Sequence, residues 1–282
     1  MPPLRPIAVT GSTGQVGGRV AARLAAAGVA QRLLVRDPAR APRFPGGDVR
    51  TIGGYGDGDG IRAALEGVET LLLIPAAEAP DRVAQHVTAI DAAVAAGVSR
   101  IVYLSFLGAR EDATFTLARD HAATEARVRA SGTAFVFPRM NLYLDFVPAM
   151  VGEDGAIRGP AGDGRVSAIL RDDVAASVVA ILTSDGHDGR TYDLVGPASF
   201  SLAEAAATIA RATGRPVRFE DETVAEAWAS RASYGAPDWE VEGWISSYLA
   251  IASGELDVDG DAVLRLTGRA PTSLEAYVST LA

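Results

Sequence analysis

Three observations predict an α/β fold built on a doubly wound parallel sheet. A short apolar run, Ile7-Ala8-Val9-Thr10, breaks into glycines at Gly11, Gly14 and Gly17 and passes into an alanine-rich helical pattern. Apolar runs then alternate with helical patterns as far as Ala134 to Pro138, the rhythm of strand–helix–strand units. One of those runs, Leu71-Leu72-Leu73-Ile74, has no polar face, as in strands buried on both sides. Beyond about residue 146 the alternation stops and the pattern turns mostly helical. The prediction is a Rossmann-type sheet over residues 1–145, with segments near 165–198 returning to it. A smaller, mostly helical substrate domain takes 146–282. Right-handed crossovers place the strand ends along one crevice.

The first strand, about Pro6 to Thr10, leads into the spacing G-x-x-G-x-x-G. Gly11 permits a tight turn, Gly14 a close backbone approach to a pyrophosphate, and Gly17 close packing of helix on strand. The helix N-terminus adds unpaired N–H groups for phosphate charge. The same glycines in a plain connector would only join strand to helix, but the flanking strand and helix favour a nucleotide. The second strand, Leu33-Leu34-Val35, ends at Arg36, with Arg40 four residues on. A guanidinium there suits the 2′-phosphate of NADP, whereas Asp37 as ribose ligand would suit NAD.

Val49 to Ile52 reads as the third strand. The glycine-rich Gly53–Gly60, with Tyr55, reads either as a turn along the adenine edge or as a mobile loop. Arg82 to Ala96 reads as a helix with Val83, Val87, Ile90 and Val94 on its buried stripe. Ile101 to Ser105 is a strand, and Thr116 to Ser131 a helix carrying His121, Thr124 and Glu125. After Pro138 come Asn141 and Tyr143, and Gly152 to Gly164 reads as a loop. Later come a helix from Arg171 and a strand from Tyr192 to Val195. Three capping boxes follow, Ser201 with Glu204, Thr223 with Glu226 and Thr272 with Glu275. Trp228, Tyr234, Trp239, Trp244 and Tyr248 suit a cap over an apolar, ring-shaped substrate, or ordinary core. His86 and His187 read as surface residues, and no metal-ligand spacing occurs.

Composition narrows the classes. The chain has 282 residues, 48% hydrophobic, with mean hydropathy +0.15, and no apolar run long enough to cross a bilayer. No signal peptide is read, and with no cysteine there are no disulfides, so a cytoplasmic location is expected. A net charge of −9 argues against nucleic acid as a partner. All 26 basic residues are arginine, which excludes any lysine-dependent mechanism. The expected partnership is with a small molecule, the chain acting as a monomer or homodimer.

Several segments together resemble the NmrA-like branch of the atypical short-chain dehydrogenases, in particular its NADPH-dependent quinone oxidoreductase group. They are Thr10–Gly17, Val35-Arg36-Asp37-Pro38, Ile101–Ala109, His121–Glu125, Asn141-Leu142-Tyr143 and Leu266–Pro271. The resemblance implies a Rossmann domain, a small C-terminal substrate domain and NADPH as cofactor. It implies that Gly11, Ser12, Thr13, Gly14, Gln15 and Val16 cradle the pyrophosphate and that Arg36, supported by Arg40, meets the 2′-phosphate. Ile74, Pro75 and Ala76 would border the nicotinamide ribose, with further cofactor contacts at Tyr55, Ser105, Phe106, His121, Pro138 and Asn141. Ser105 matches the catalytic serine of ordinary short-chain dehydrogenases, and His121 the place of their lysine. Leu117 stands where their tyrosine would be, so the usual proton-relay dyad is missing.

Quinone reduction suits such a site, because the acceptor takes hydride readily and needs little acid help. His121 is expected either to donate a proton, as an imidazole titrating near neutrality, or to hold the cofactor ribose. Ser105 is expected to donate to the acceptor oxygen or to hold the nicotinamide, and Tyr143 to supply a proton or to pack. The function expected is NADPH-dependent hydride transfer to a quinone or a polycyclic aromatic or enone intermediate. The alternative is an NADP(H)-binding redox-sensing regulator without turnover.

Overall fold

The computed structural model describes residues 6–45 and 47–281. Strand β1 (Ile7–Val9) runs through the glycine turn into helix α1 (Gln15–Ala26), followed by β2 (Gln31–Val35), a 3-10 turn at Pro38–Arg40, and β3 (Asp48–Thr51). Next come α2 (Gly58–Ala64), β4 (Thr70–Leu73), α3 (Arg82–Ala95), β5 (Arg100–Tyr103), the short β6 (Ser105–Phe106), α4 (Thr116–Ala130) and β7 (Ala134–Met140). These strands lie in one sheet of order β10-β7-β5-β4-β1-β2-β3, with β6 also paired to β7 and β10 (Arg190–Leu194) at the edge. Every pair from β7 to β3 is parallel. The strand order reverses between β1 and β4, which makes that boundary the switch point of a doubly wound sheet.

The remaining strands and α-helices are β8 (Ala156–Gly159), β9 (Arg165–Val166), α5 (Arg171–Thr183), β11 (Phe200–Ser201), α6 (Leu202–Thr213), β12 (Arg218–Asp221), α7 (Val224–Arg231), α8 (Asp238–Ala252), α9 (Ala262–Thr267) and α10 (Leu274–Val278). The chain divides into two compact units. The first takes Met1–Ser105, Asp120–Arg139 and Val174–Tyr192, and the second takes Phe106–Arg119, Met140–Asp173 and Asp193–Ala282.

In the first unit Leu71, Leu73, Ala8, Ile101 and Phe137 form a core with Ile61, Leu65 and Ile90. Leu72 and Leu73 are both wholly buried, and each such side chain contributes about 1.5–3 kcal/mol relative to exposure. The returning segment is tied to this sheet. Arg100 Nε donates to Asp188 at 2.7 Å and Gly189 N to the Phe135 carbonyl at 2.7 Å.

The second unit has its own core, from Leu144, Val147 and Ile157 to Leu202, Ile209 and Ile251. Two expectations change here. Gly152–Gly164 is not all loop, because Ala156–Gly159 pairs in parallel with Arg218–Asp221. The last capping box is absent. Ser273, not Thr272, caps α10 by accepting the Ala276 N–H, while Thr272 N donates to Asp173. The boxes at Ser201/Glu204 and Thr223/Glu226 are both formed.

Candidate active site

At the end of β1 the chain turns sharply, and Gly11 has φ +62°, where an L side chain is strained. A Cβ on Gly17 would stand 2.3 Å from the Gly11 carbonyl oxygen, so the first turn of α1 closes on the loop only because that atom is missing. Thr13, Gly14 and Gln15 are exposed, and no side chain caps α1, in contrast to α6 and α7. Ser12 is 2% exposed, and its hydroxyl has no hydrogen-bond partner among the described residues. A bare backbone cradle with an orphaned hydroxyl beside it fits the pyrophosphate of a dinucleotide.

The tip of β4 meets this turn. Thr10 Oγ1 accepts the Ile74 N–H at 2.9 Å and donates to the Leu72 carbonyl at 3.2 Å. The Tyr55 hydroxyl donates to the Ile74 carbonyl, and burial pushes that phenol up to about 12. The glycine-rich loop is thus anchored, not loose. Asp57 adds to this by accepting from Gly53 N at 2.7 Å and Gly60 N at 2.9 Å. At the end of β2, Arg36 and Arg40 are exposed. Asp37 is committed to its own turn, accepting the Ala39 N–H at 2.9 Å.

Beyond Ile74 the loop is held by a buried cluster that the sequence did not reveal. His86, expected at the surface, is wholly buried. Its Nε2 accepts the Ala76 N–H at 2.9 Å, while Arg82 Nε donates to the Ala76 carbonyl at 3.1 Å. Desolvation, aided by Arg82, pulls the His86 pKa down to about 3, so the ring is neutral. Its rotation into the core corrects the expected stripe of α3. Arg82, His86, Ala89 and Ile90 face inward, and Val94 is 39% exposed. The polar side chains win that face because partners wait for them: Ala76, Thr124 and Asp120, which lies 3.6 Å from Arg82.

His121 is 2% exposed, and its Nδ1 lies 2.9 Å from the Tyr103 hydroxyl. Desolvation first, then the charge of Arg82, the neighbouring His86 ring with which a proton would have to be shared, and the charge of Arg139 hold its pKa well below the usual 6.5. The expectation that it titrates near neutrality is corrected: it is a neutral imidazole. Ser105 is wholly buried and donates to Glu125 at 2.6 Å. Glu125 in turn accepts two hydrogen bonds from Arg139, each 2.8 Å. The Ser105 proton is therefore directed at a carboxylate of its own unit.

Pro138 is buried in β7 of this unit. Phe106, Asn141 and Tyr143 belong to the second unit. Phe106 packs edge-on to Phe115, with ring centroids 5.0 Å apart. The Asn141 side chain, expected at the cofactor, has another task. It is wholly buried, donates to Ser167 and the Leu256 carbonyl, and accepts from Leu142 N, which uses both ends of the amide. Arg171 lies 4.0 Å from the centre of the Tyr143 ring and pairs with Asp145. The five C-terminal rings divide: Tyr248 and Trp244 pack against core clusters of the second unit, Trp239 is half-buried, and Trp228 and Tyr234 are exposed, Tyr234 by 71%. Among the described residues no group of three His, Cys, Asp or Glu side chains is gathered to hold a metal, and no helix is long and apolar enough to cross a membrane.

A family model described as NAD(P)H-binding matches residues 11–185, the stretch that contains this cradle and cluster. The chain belongs to that NAD(P)H-binding family. It is 35% identical to quinone oxidoreductase 2 of Escherichia coli (strain K12) over 98% of both chains. It is 37% identical to a (4-alkanoyl-5-oxo-2,5-dihydrofuran-3-yl)methyl phosphate reductase of Streptomyces griseus over 93% of both. A crystal structure of an NADPH-dependent quinone oxidoreductase from Escherichia coli, complexed with NADPH, superposes with a TM-score of 0.90 at 34% identity. It covers 98% of this chain and 99% of that one. This family member is an NAD(P)H-dependent oxidoreductase with a Rossmann-like fold.

Proposed function

We propose that the chain reduces an apolar, ring-shaped acceptor of the quinone or enone type and takes NADPH in preference to NADH. The observation that carries the acceptor class is the neutrality of the buried cluster. Neither imidazole is an acid at neutral pH, and the Ser105 proton is engaged by Glu125. Such a site suits an acceptor whose reduction needs hydrogen bonding and orientation more than a strong proton donor. When bound, NADPH supplies the hydride.

The residues of the first unit do the rest. The glycine turn and Ser12 hold the pyrophosphate. Ile74–Ala76, pinned by Thr10, Tyr55, His86 and Arg82, form a rigid wall for the nicotinamide ribose. His121 orients the reacting end through hydrogen bonding. Preference for NADPH is supported by Arg36, exposed at the end of β2, beside an Asp37 already used by its own turn. The names of the relatives, a quinone oxidoreductase and an unsaturated-lactone phosphate reductase, fit activated acceptors.

Steady-state NADPH oxidation against quinones, enones, azo dyes and simple ketones is the test. Quinones and enones should turn over and simple ketones should not. Comparable rates with simple ketones would refute the acceptor class. Tight NADPH binding with no turnover across the panel would favour a redox-sensing role.

A further inference from the structure

The first unit holds a ladder of alternating phenols and imidazoles. Ring centroids lie 6.0 Å apart from Tyr55 to His86, 5.8 Å from His86 to Tyr103 and 5.7 Å from Tyr103 to His121. The partners of the two imidazoles demand opposite tautomers. At His86 the partner of Nε2 is a backbone N–H, which can only donate, so the proton of the neutral ring sits on Nδ1. Nδ1 then donates to Thr124 Oγ1 at 2.9 Å, and the Thr124 hydroxyl donates to the Asp120 carbonyl at 2.7 Å.

His121 faces a different partner. The wholly buried Tyr103 hydroxyl must place its own proton, and it reaches His121 Nδ1 at 2.9 Å. The Thr124 hydroxyl is spent on His86 and the Asp120 carbonyl, and the Tyr103 hydroxyl makes its hydrogen bond to His121 Nδ1, so donation to that nitrogen is what satisfies the buried phenol proton. We infer that Tyr103 donates to Nδ1 of His121 and so fixes that imidazole with its proton on Nε2. Tyr103 is then a positioning residue, and His121 serves as a neutral hydrogen-bond donor of fixed direction. The functional half of this inference rests on the proposed reductase activity; the tautomer stands without it. Charge supports the assignment. Burial first, then the charges of Arg82 and Arg139, disfavour the imidazolium at His121, and burial keeps the Tyr103 phenol protonated.

The chain has three histidines, so nitrogen-15 NMR of histidine-labelled protein, without nucleotide, resolves each ring, and His86→Gln and His187→Gln variants assign them. His121 should show a pyridine-like Nδ1 and a protonated Nε2, His86 the reverse, and neither should titrate between about pH 6 and 8. Tyr103→Phe should release His121 into a mixture of tautomers. It should lower kcat for quinones roughly tenfold to a hundredfold while KM for NADPH stays within about twofold. A protonated Nδ1 or an imidazolium at His121 in the native protein overturns the inference. So does a Tyr103→Phe protein whose His121 spectrum and kcat are unchanged. If that variant does not fold, the native spectrum alone decides. Failure of the native protein to reduce any acceptor would strike the reductase reading and leave the tautomer result intact.

Discussion

At Gly11, Gly14 and Gly17 there is no side chain and none caps α1, whereas around His86 and His121 the polar groups are side chains, buried and hydrogen-bonded. The two regions share the loop Ile74–Ala76, touched by Thr10 at one end and by His86 and Arg82 at the other. The difference follows from their tasks. A phosphate cradle needs room and free N–H groups, which glycines supply without partners of their own. A site that directs a reacting atom needs side chains whose rotamers and protons are fixed by what surrounds them.

That contrast breaks most visibly at the glycines. Gly14→Val should abolish NADPH binding, a loss beyond a hundredfold by titration, while the fold survives, because Gly14 is exposed and its Cβ, 3.2 Å from the Gly11 carbonyl oxygen, needs only a small shift of the turn. Gly17→Ala should lose both binding and about 1–3 kcal/mol of stability, since its Cβ would meet the Gly11 carbonyl at 2.3 Å. Normal nucleotide binding by Gly14→Val would make the turn a connector only.

The cluster should betray itself through acid. The folded pKa of His86 is about 3 against 6.5 ordinarily, so between those values the unfolded chain binds the extra proton. Stability is therefore complete above about pH 6.5 and falls on acidification by roughly 1.4 kcal/mol per pH unit for this ring. His121, depressed in the same direction and facing Arg82, His86 and Arg139, adds to the slope. Denaturant titrations at several pH values, with His86→Gln as comparison, check this. A flat profile in the native protein would mean that the rings are not buried neutral.

A smaller effect separates the cofactors. Arg36→Ala should weaken NADPH by roughly tenfold to a hundredfold, on the order of 1.5–3 kcal/mol, and leave NADH unchanged. Unchanged NADPH affinity would return Asp37 to the role of ribose ligand. The smallest effect is expected at Asp37 itself. Asp37→Ala removes only the cap of a 3-10 turn, at about 0.5–1 kcal/mol, and should not alter the NADPH-to-NADH ratio.

The cradle was legible because its requirement falls on residue type: only glycine takes φ +62° easily or leaves out the Cβ that would strike a carbonyl. The position of Arg36, exposed directly after β2, was legible as well. The cluster was not, because its partners are distant in sequence. His86 meets Thr124 38 residues away, and no local pattern distinguishes a buried histidine from one on a solvated face. The valines of α3 misled for the same reason, since hydrophobic periodicity cannot weigh hydrogen bonds waiting across the fold. The β8–β12 pair was hidden because Arg218-Phe219-Glu220-Asp221 is polar and Ala156–Gly159 sits among glycines. Asn141 looked like a ligand by position and is instead consumed by carbonyls that only the folded second unit brings to it.

The two units also carry separate natural reporters. His86, His121 and His187 all lie in the first unit, while Trp228, Trp239 and Trp244 all lie in the second. Imidazole resonances and indole fluorescence therefore watch different halves of one chain with no label added. If both signals are lost at the same denaturant concentration, the units melt as one cooperative body; if they part, each has a stability of its own.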